Sequence, residues 1–110
     1  MYSIAEGRTR IYDEAVNVFK REIVQGDTYL KVIAGTTGYK KGTSRAGGGR
    51  TYINIDCFDG DFHFNPITDE NGGVVGIEIV GCGCESLDVI MKALTFVHKV
   101  LDDQRRGVED

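Results

Sequence analysis

One stretch of the chain, residues 35–50, concentrates the groups that could bind an anion. It holds six of the chain's 15 glycines and no acidic residue. Glycines let backbone N–H groups approach an anion closely, and lysine or arginine adds charge-assisted hydrogen bonds. The stretch carries a charge of +4, whereas the other ninety-four residues, nine basic and seventeen acidic, sum to −8. The sequence therefore predicts a basic, glycine-rich loop on an acidic body, which attracts negatively charged partners despite the overall negative charge.

The binding residues of this basic loop (residues 35–50) are predicted from what each side chain can offer. Four side chains supply charge, two hydroxyls can donate hydrogen bonds, and one aromatic ring can stack on a base or a partner surface. The spacing does not match a P-loop, because no G-x-x-x-x-G-K-[ST] is present and a strand follows. Three interpretations stay open: a solvated loop without a ligand, a protein contact, and a site for a phosphate-bearing ligand. The predicted binding residues are Tyr39, Lys40, Lys41, Thr43, Ser44, Arg45 and Arg50.

The turn at residues 81–85, which reads G-C-G-C-E, is the second place where chemistry is conceivable. It puts Cys82 and Cys84 before a predicted helix, a position in which cysteines serve as nucleophiles or redox groups. Glu85 adds negative charge there, which does not suit an anionic nucleophile. The C-x-C spacing also departs from the usual spacing of zinc ligands. We interpret these cysteines as small structural residues and predict no catalytic residue, no metal site and no cofactor.

Composition restricts the class of protein. With 41% hydrophobic and 27% charged residues, 110 residues fit a single globular domain, residues 1–110. No apolar run approaches the roughly 18 residues that span a membrane, and the first residues lack the features of a signal peptide. Three cysteines, an odd number, favour reduced thiols in the cytoplasm over a disulfide framework. The acidic sequence pI, about 5.1, is not that of a general nucleic-acid-binding domain.

The N-terminal segment is predicted to be a helix. Ser3 and Glu6 have the spacing of a capping box, and Gly26 would end the helix. The apolar residues between them fall within about half of a helical wheel. We therefore predict a helix from Ser3 to about Val24.

Four strands are predicted next, from β-branched residues and apolar–polar alternation. The turn signal Asp59-Gly60 predicts a two-residue hairpin that would place Asp56 opposite His63 as a surface ion pair. The predicted strands are Thr28–Ala34, Arg50–Phe58, a third that ends at Pro66, and Val74–Val80.

The last helix is predicted to begin at Ser86 as its N-cap. Its apolar face covers well over half of the circumference, which is more than one sheet contact can bury. Part of that face would need a second surface, either the first helix or a partner subunit. The residues from Asp102 to Asp110 are predicted to form a charged, frayed tail. The residues that would form this helix–helix or homodimer interface are Val89, Ala93, Phe96 and Val100.

These elements predict an α+β fold in the order α-β-β-β-β-α, an antiparallel sheet of three or four strands with both helices on one face. The order is similar to that of double-stranded-RNA-binding domains. In that family a lysine cluster opens the final helix and grips phosphates, whereas residues 85–88 (E-S-L-D) would repel them here. The sequence is therefore not assigned to that family.

The functional prediction is a small non-enzymatic protein that binds a protein or another anionic macromolecule stoichiometrically through the basic loop. An inhibitor or accessory factor, of the immunity-protein or phage counter-defence type, fits this profile. The alternatives are a protein that binds or sequesters a nucleotide or nucleic acid through the same loop and, least favoured, a thiol enzyme. A cytoplasmic location, no membrane partner and a possible homodimer complete the expectation.

Overall fold

The computed structural model describes residues 3–11, 14–38, 49–57 and 62–109. Within them the chain forms six strands followed by one long helix. No helix in these ranges is long and apolar enough to cross a membrane. The elements are β1 (Ser3–Ile11), β2 (Glu14–Gln25), β3 (Thr28–Thr36), β4 (Thr51–Asp56), β5 (Phe62–Thr68), β6 (Val74–Gly81) and α1 (Cys84–Glu109).

Strands β1 to β4 form one antiparallel sheet in chain order, and β5 and β6 form a separate antiparallel hairpin. In the four-stranded sheet, Ile23 of β2 lies opposite Leu30 of β3, and Val32 of β3 lies opposite Ile55 of β4. Helix α1 packs across one face of this sheet, mainly over β3 and β2. The fold is therefore a mixed α+β arrangement of two layers, with the core between α1 and the sheet.

The core is made by alternate residues of the two central strands. Leu30, Val32 and Ala34 of β3 are fully buried, and so is Ile23 of β2. Their side chains point to the same face because they are two residues apart or are cross-strand partners. Helix α1 covers this face with residues at spacings of three and four. The helical side of the core consists of Val89, Ala93, Phe96, Val97 and Val100.

The predicted N-terminal helix is wrong, because the described residues of that segment form β1 and β2. Strand β2 is internal to the sheet and is buried on both faces, with Val16 and Val18 on one face and Ile23 on the other. Such a strand has apolar residues at odd and even positions alike, so its pattern also fits half of a helical wheel. Ser3 and Glu6, the predicted capping-box pair, both lie on the extended strand β1, where Ser3 lies opposite Glu22 and Glu6 lies opposite Phe19. The order α-β-β-β-β-α therefore does not hold, and the similarity in element order to double-stranded-RNA-binding domains is lost with it.

The predicted hairpin between β4 and β5 is also absent from the described strands, since β4 pairs with β3 and β5 pairs with β6. Asp56 lies opposite Lys31, with 3.4 Å between its Oδ2 and the lysine Nζ. His63 lies opposite Val80 instead of Asp56. The turn residues Asp59-Gly60 lie outside the described residues.

Helix α1 is longer at both ends than the sequence predicts. It begins at Cys84, and the Ser86 hydroxyl, instead of capping, donates a hydrogen bond to the Gly83 carbonyl oxygen at 2.9 Å. It continues to Glu109 through the segment that was predicted to fray. Asp102 accepts hydrogen bonds there from Arg105 at 2.6 Å and from Arg106 at 2.8 Å.

The four residues predicted at a helix–helix or homodimer interface are buried under the chain's own sheet. The N-terminal helix that was one of their two expected partners is absent from the described residues, and β2 and β3 take its place. The sheet does not cover the whole apolar face of α1. Its uncovered part includes Leu87, Met91 and Leu94, each of which is more than half exposed.

Close packing between β2 and β3 makes Gly35 the most sensitive glycine of the sheet. A Cβ at this position would collide with the backbone oxygen of Asn17 and lie 2.8 Å from a Val18 methyl. We expect Gly35→Ala to lower the free energy of unfolding by about 1–3 kcal/mol, because the two strands must move apart. Equilibrium urea unfolding, followed by circular dichroism, measures this change.

Gly7→Ala is the matched control for this substitution. Gly7 also lies in a strand of the same sheet, but its Cβ would meet a Val18 methyl at 3.7 Å, an ordinary contact. Its free energy of unfolding should stay within about 1 kcal/mol of the wild-type value. Equal losses in the two variants would show that β2 and β3 are not packed this closely.

Candidate functional site

The structure places the root of the basic loop where β3 ends and β4 begins. Gly35 and Thr36 belong to β3, and the described chain resumes at Gly49 on the other side of the loop. Of the predicted binding residues, only Arg50 is among the described residues. Tyr39, Lys40, Lys41, Thr43, Ser44 and Arg45 lie outside them.

Hydrogen bonds close the root beyond the last paired residues of the two strands. The Thr37 N–H donates to the Arg50 carbonyl oxygen at 3.0 Å, and the Arg50 N–H donates to the Thr37 hydroxyl oxygen at 2.9 Å. The Thr36 hydroxyl donates to the same Arg50 oxygen at 2.8 Å and accepts from the Gly38 N–H at 3.0 Å. It also lies 3.0 Å from the Thr51 hydroxyl. The loop therefore leaves the sheet from a fixed, hydrogen-bonded base.

Two glycines of the loop are required by the geometry of this root. Gly38 has a φ of 74°, a conformation that residues with a Cβ rarely adopt. A Cβ on Gly49 would collide with the Gly38 carbonyl oxygen. Part of the glycine content, which in the sequence alone indicates anion binding, thus serves the close approach of the two strands.

Helix α1 is hydrogen-bonded to the root on one side through a single amide side chain, that of Gln104. The Gln104 Oε1 accepts a hydrogen bond from the Thr36 N–H at 2.9 Å, and its Nε2 donates to the Asn17 carbonyl oxygen at 3.1 Å. The last turns of α1 are thereby tied to both β3 and β2. Sequence reasoning missed Gln104 because it placed this segment in a frayed tail.

A small cavity opens between the root and the helix. Its volume is about 240 Å³, and Leu101 and Arg105 of α1 face the strand residues across it. Arg105 thus brings a guanidinium group from α1 to the cavity at the root. The only sequence signal for it was the pair of basic residues near the chain end. The lining residues are Thr36, Gly38, Gly49, Thr51, Leu101 and Arg105.

An acidic residue, Asp102, partly neutralises the positive charge at this end of α1. The hydrogen bond from Arg105, with the charges of Arg106 and Arg105, holds the pKa of the Asp102 carboxyl below its ordinary value. Asp102 thus stays ionised at neutral pH and competes with any incoming anion for these guanidinium groups. The cavity can therefore hold an anionic group only at the expense of part of this ion pair.

The remaining candidates from the sequence do not converge on a site. Cys82 and Cys84 are exposed, Cys57 is half-buried, and none of the three is in a disulfide. His63 and His98 are exposed, on β5 and α1 respectively. Across the described ranges, no three or more His, Cys, Asp or Glu residues are grouped so that they could hold a metal ion.

No family model, curated protein or solved structure matches this chain.

The Thr36 hydroxyl joins most of the root's hydrogen bonds, and Thr36→Val removes it while keeping the shape of the side chain. Because Thr36 is buried, we expect a loss of about 1–3 kcal/mol in the free energy of unfolding. The amide protons of Gly38 and Arg50 should also exchange faster with solvent. Urea unfolding and hydrogen exchange measure the two effects.

Thr95→Val is the control, since the exposed Thr95 hydroxyl only bonds back to the Met91 carbonyl oxygen on α1. It should change the free energy of unfolding by no more than about 0.5 kcal/mol. If both valine variants behave alike, the root is not held as described.

Asp102 gives the structure a pH dependence of known sign. Because its pKa is lowered in the folded state, its contribution to stability is present above about pH 4 and is lost as the pH falls through the folded-state pKa. Asp102→Asn should therefore be less stable than the wild type near neutral pH, and the difference should vanish in strong acid. Urea unfolding of both proteins across this range measures it.

The control for this experiment is Asp103→Asn, the adjacent residue, whose ion pair with Lys99 is largely solvated. It should show little pH-dependent difference from the wild type. A difference as large as that of Asp102→Asn would remove the special role of the Asp102 pairs.

Proposed function

We propose that this protein is a non-enzymatic binding module that acts stoichiometrically, with the basic loop as its contact for an anionic surface of a partner protein. The observation that carries the proposal is the mounting of a +4 segment on a hydrogen-bonded root, at one end of an otherwise acidic body. A fixed root limits the directions that the loop can take, which reduces the entropy lost on binding. The local positive field steers an acidic partner toward this end of the molecule.

The groups at the root support binding rather than catalysis. Hydroxyl groups, one amide and two arginines surround it, and these groups position and neutralise an anion. The described residues bring no nucleophile and base together there. The proposed role is that of an inhibitor or accessory factor of the immunity-protein or phage counter-defence type. The odd number of cysteines, three, supports a cytoplasmic location as part of the same proposal.

A second candidate function, binding of a nucleotide or nucleic acid through its phosphates, is favoured by the cavity beside the root. Arg105 faces this cavity and offers a bidentate donor for phosphate oxygens. A volume of about 240 Å³ suits a phosphate group rather than an entire nucleotide. The base and sugar would then lie against the basic loop.

Removal of the loop's charge tests both candidates. The variant with Lys40, Lys41, Arg45 and Arg50 replaced by Ala should fold normally and lose its partner, since no stretch of similar length elsewhere in the sequence carries a comparable net positive charge. Immobilised protein incubated with a lysate of the native cell, with mass-spectrometric identification of retained proteins and nucleotides, measures the loss.

The matched control replaces Arg8, Arg10, Lys20 and Lys99 by Ala, which lowers the net charge by the same amount, from −4 to −8. It should retain the partner that the loop variant loses. Equal retention by the loop variant and the wild type would contradict the proposal.

Salt separates the two candidates once a ligand is retained. Binding through phosphates should weaken steeply as the salt concentration rises, because counterions are released from the nucleic acid. Binding to a protein surface with an apolar centre should weaken less.

A further inference from the structure

A second cavity, separate from the one at the root, lies between α1 and β2. Its volume is about 550 Å³, with Phe19 and Arg21 of β2 as its floor and Phe96 and Val100 of α1 among its wall residues. Most of the surface that lines it is apolar. Small-molecule sites in proteins have volumes of about 300–1,000 Å³ and combine an apolar lining with a few polar groups. The cavity therefore has the size and lining of a ligand site.

The cavity is elongated along the helix axis. Its lining residues on α1 lie between Thr95 and Gln104, a rise of nine residues or roughly 14 Å. Helix α1 packs mainly over β3 and β2, whereas β1 lies beyond β2 at the edge of the sheet. The cavity thus follows the side of the helix that faces β1, where the sheet extends past the helix. This shape suits a chain-like ligand better than a compact one.

A charged residue forms part of the floor of this apolar cavity. Arg21 lies opposite Val32, which is fully buried under α1, so the arginine points to the helix-facing side of an internal strand. Its neighbours on that side, Phe19 and Ile23, are apolar. The Arg21 guanidinium carbon lies 5.9 Å from the centroid of the Phe96 ring, and its Nε is buried. A positive charge is thereby held at an apolar wall, where solvent screens it less than at the surface.

The other polar side chains of the cavity have partners within the chain. The Lys99 Nζ lies 3.2 Å from the Asp103 Oδ2. The Gln104 amide bonds to the backbones of β2 and β3, and the Thr95 hydroxyl bonds back to its own helix. Two basic residues and one acidic residue give the lining a net charge of +1, and Arg21 is the basic residue outside the Lys99–Asp103 pair.

The charges on the neighbouring strand do not change this sum. Glu6 and Arg8 of β1 lie opposite Phe19 and Asn17, so they share the helix-facing side of the sheet, and both are exposed. One is acidic and the other basic. The cavity therefore keeps a net positive charge in a protein whose total charge is −4.

We propose that this cavity binds a small amphipathic anion, a fatty carboxylate of medium chain length. The alkyl chain lies along α1 against Phe19, Phe96 and Val100, and the carboxylate accepts hydrogen bonds from the Arg21 guanidinium. The apolar walls supply affinity because they remove the chain from water. Arginine and carboxylate match in charge and geometry, so Arg21 selects an acid over a neutral molecule of the same length.

Isothermal titration calorimetry with decanoate as the probe tests the site. Decanoate should bind one molecule per chain with a dissociation constant below about 1 mM. Butyrate, which has the same head group, and 1-decanol, which has the same chain length without the charge, should each bind at least about tenfold more weakly. One charge-assisted hydrogen bond corresponds to a difference of about this size.

Three substitutions separate the contributions of charge and shape. Arg21→Met keeps an unbranched side chain without the charge, so it should weaken decanoate binding by at least about tenfold and change 1-decanol binding by no more than about twofold. Thr95→Trp places an indole in the cavity from an exposed position, so it should weaken the binding of both probes. Lys20→Met is the matched control, because Lys20 is adjacent on β2 but faces the other side of the sheet, opposite Ile33. It should bind both probes as the wild type does, and circular dichroism should show that all three variants are folded.

The position of the bound probe is measured by isotope-filtered nuclear Overhauser spectroscopy on the labelled protein. The decanoate chain should show contacts to the rings of Phe19 and Phe96. Contacts only to the exposed Leu87 and Met91 would mean non-specific adsorption and would overturn the proposal.

Other results would also contradict it. They are a wild type that shows no saturable decanoate binding up to about 1 mM, a 1-decanol affinity equal to that of decanoate, and equal decanoate binding by Arg21→Met and Lys20→Met. Sedimentation equilibrium covers the remaining occupant: a dimer that decanoate dissociates would show that a second copy of the chain fills the cavity. None of the substitutions lies in the basic loop, so the outcome is independent of the loop's proposed function.

Discussion

The packing of α1 on β2 and β3 is the contact on which the rest of the structure depends. Burial of Ile23, Leu30 and Val32 beneath Val89 and its helical neighbours removes the sheet's largest apolar surface from water. Each of these side chains contributes about 1.5–3 kcal/mol when it is fully buried, which exceeds the net value of a typical hydrogen bond. The helix is therefore the element that makes a four-stranded meander stable as a single layer.

Polar side chains then fix the position of α1 along the sheet. At its beginning, Gln25 donates to Asp88 at 2.9 Å and accepts from Lys92 at 3.0 Å. At its end, Gln104 bridges the backbones of β2 and β3. Because these residues hold both ends, the helix cannot slide along the apolar face that it covers. The position of the root relative to the helix follows from this.

The sequence predicts the elements that are buried on one side and fails where burial is two-sided. Alternation identifies most of β3, β4 and β6, and the broad apolar arc identifies α1. The prediction fails for β2, because a strand with apolar residues on both faces shows no apolar–polar alternation with a period of two. Its first partner β1 was lost with it, since the two were read as one helix.

The strand pairing and part of the site could not be predicted from the sequence, for a different reason. The dipeptide Asp59-Gly60 indicates a turn but does not specify which strands pair on either side of it. Arg50 could be predicted from local charge, whereas Gln104 joins the root across 68 residues of chain, a contact that no local pattern encodes. The binding role of the basic loop stays a prediction.

Because α1 is anchored at both ends, it also fixes the distance between the elements that pack at its two ends. Its 26 residues, at about 1.5 Å each, span roughly 40 Å, with the loop's root near the last turns and the hairpin beside the first. The root of the loop and the base of the hairpin are therefore held apart at a distance set by one rigid helix rather than by a linker.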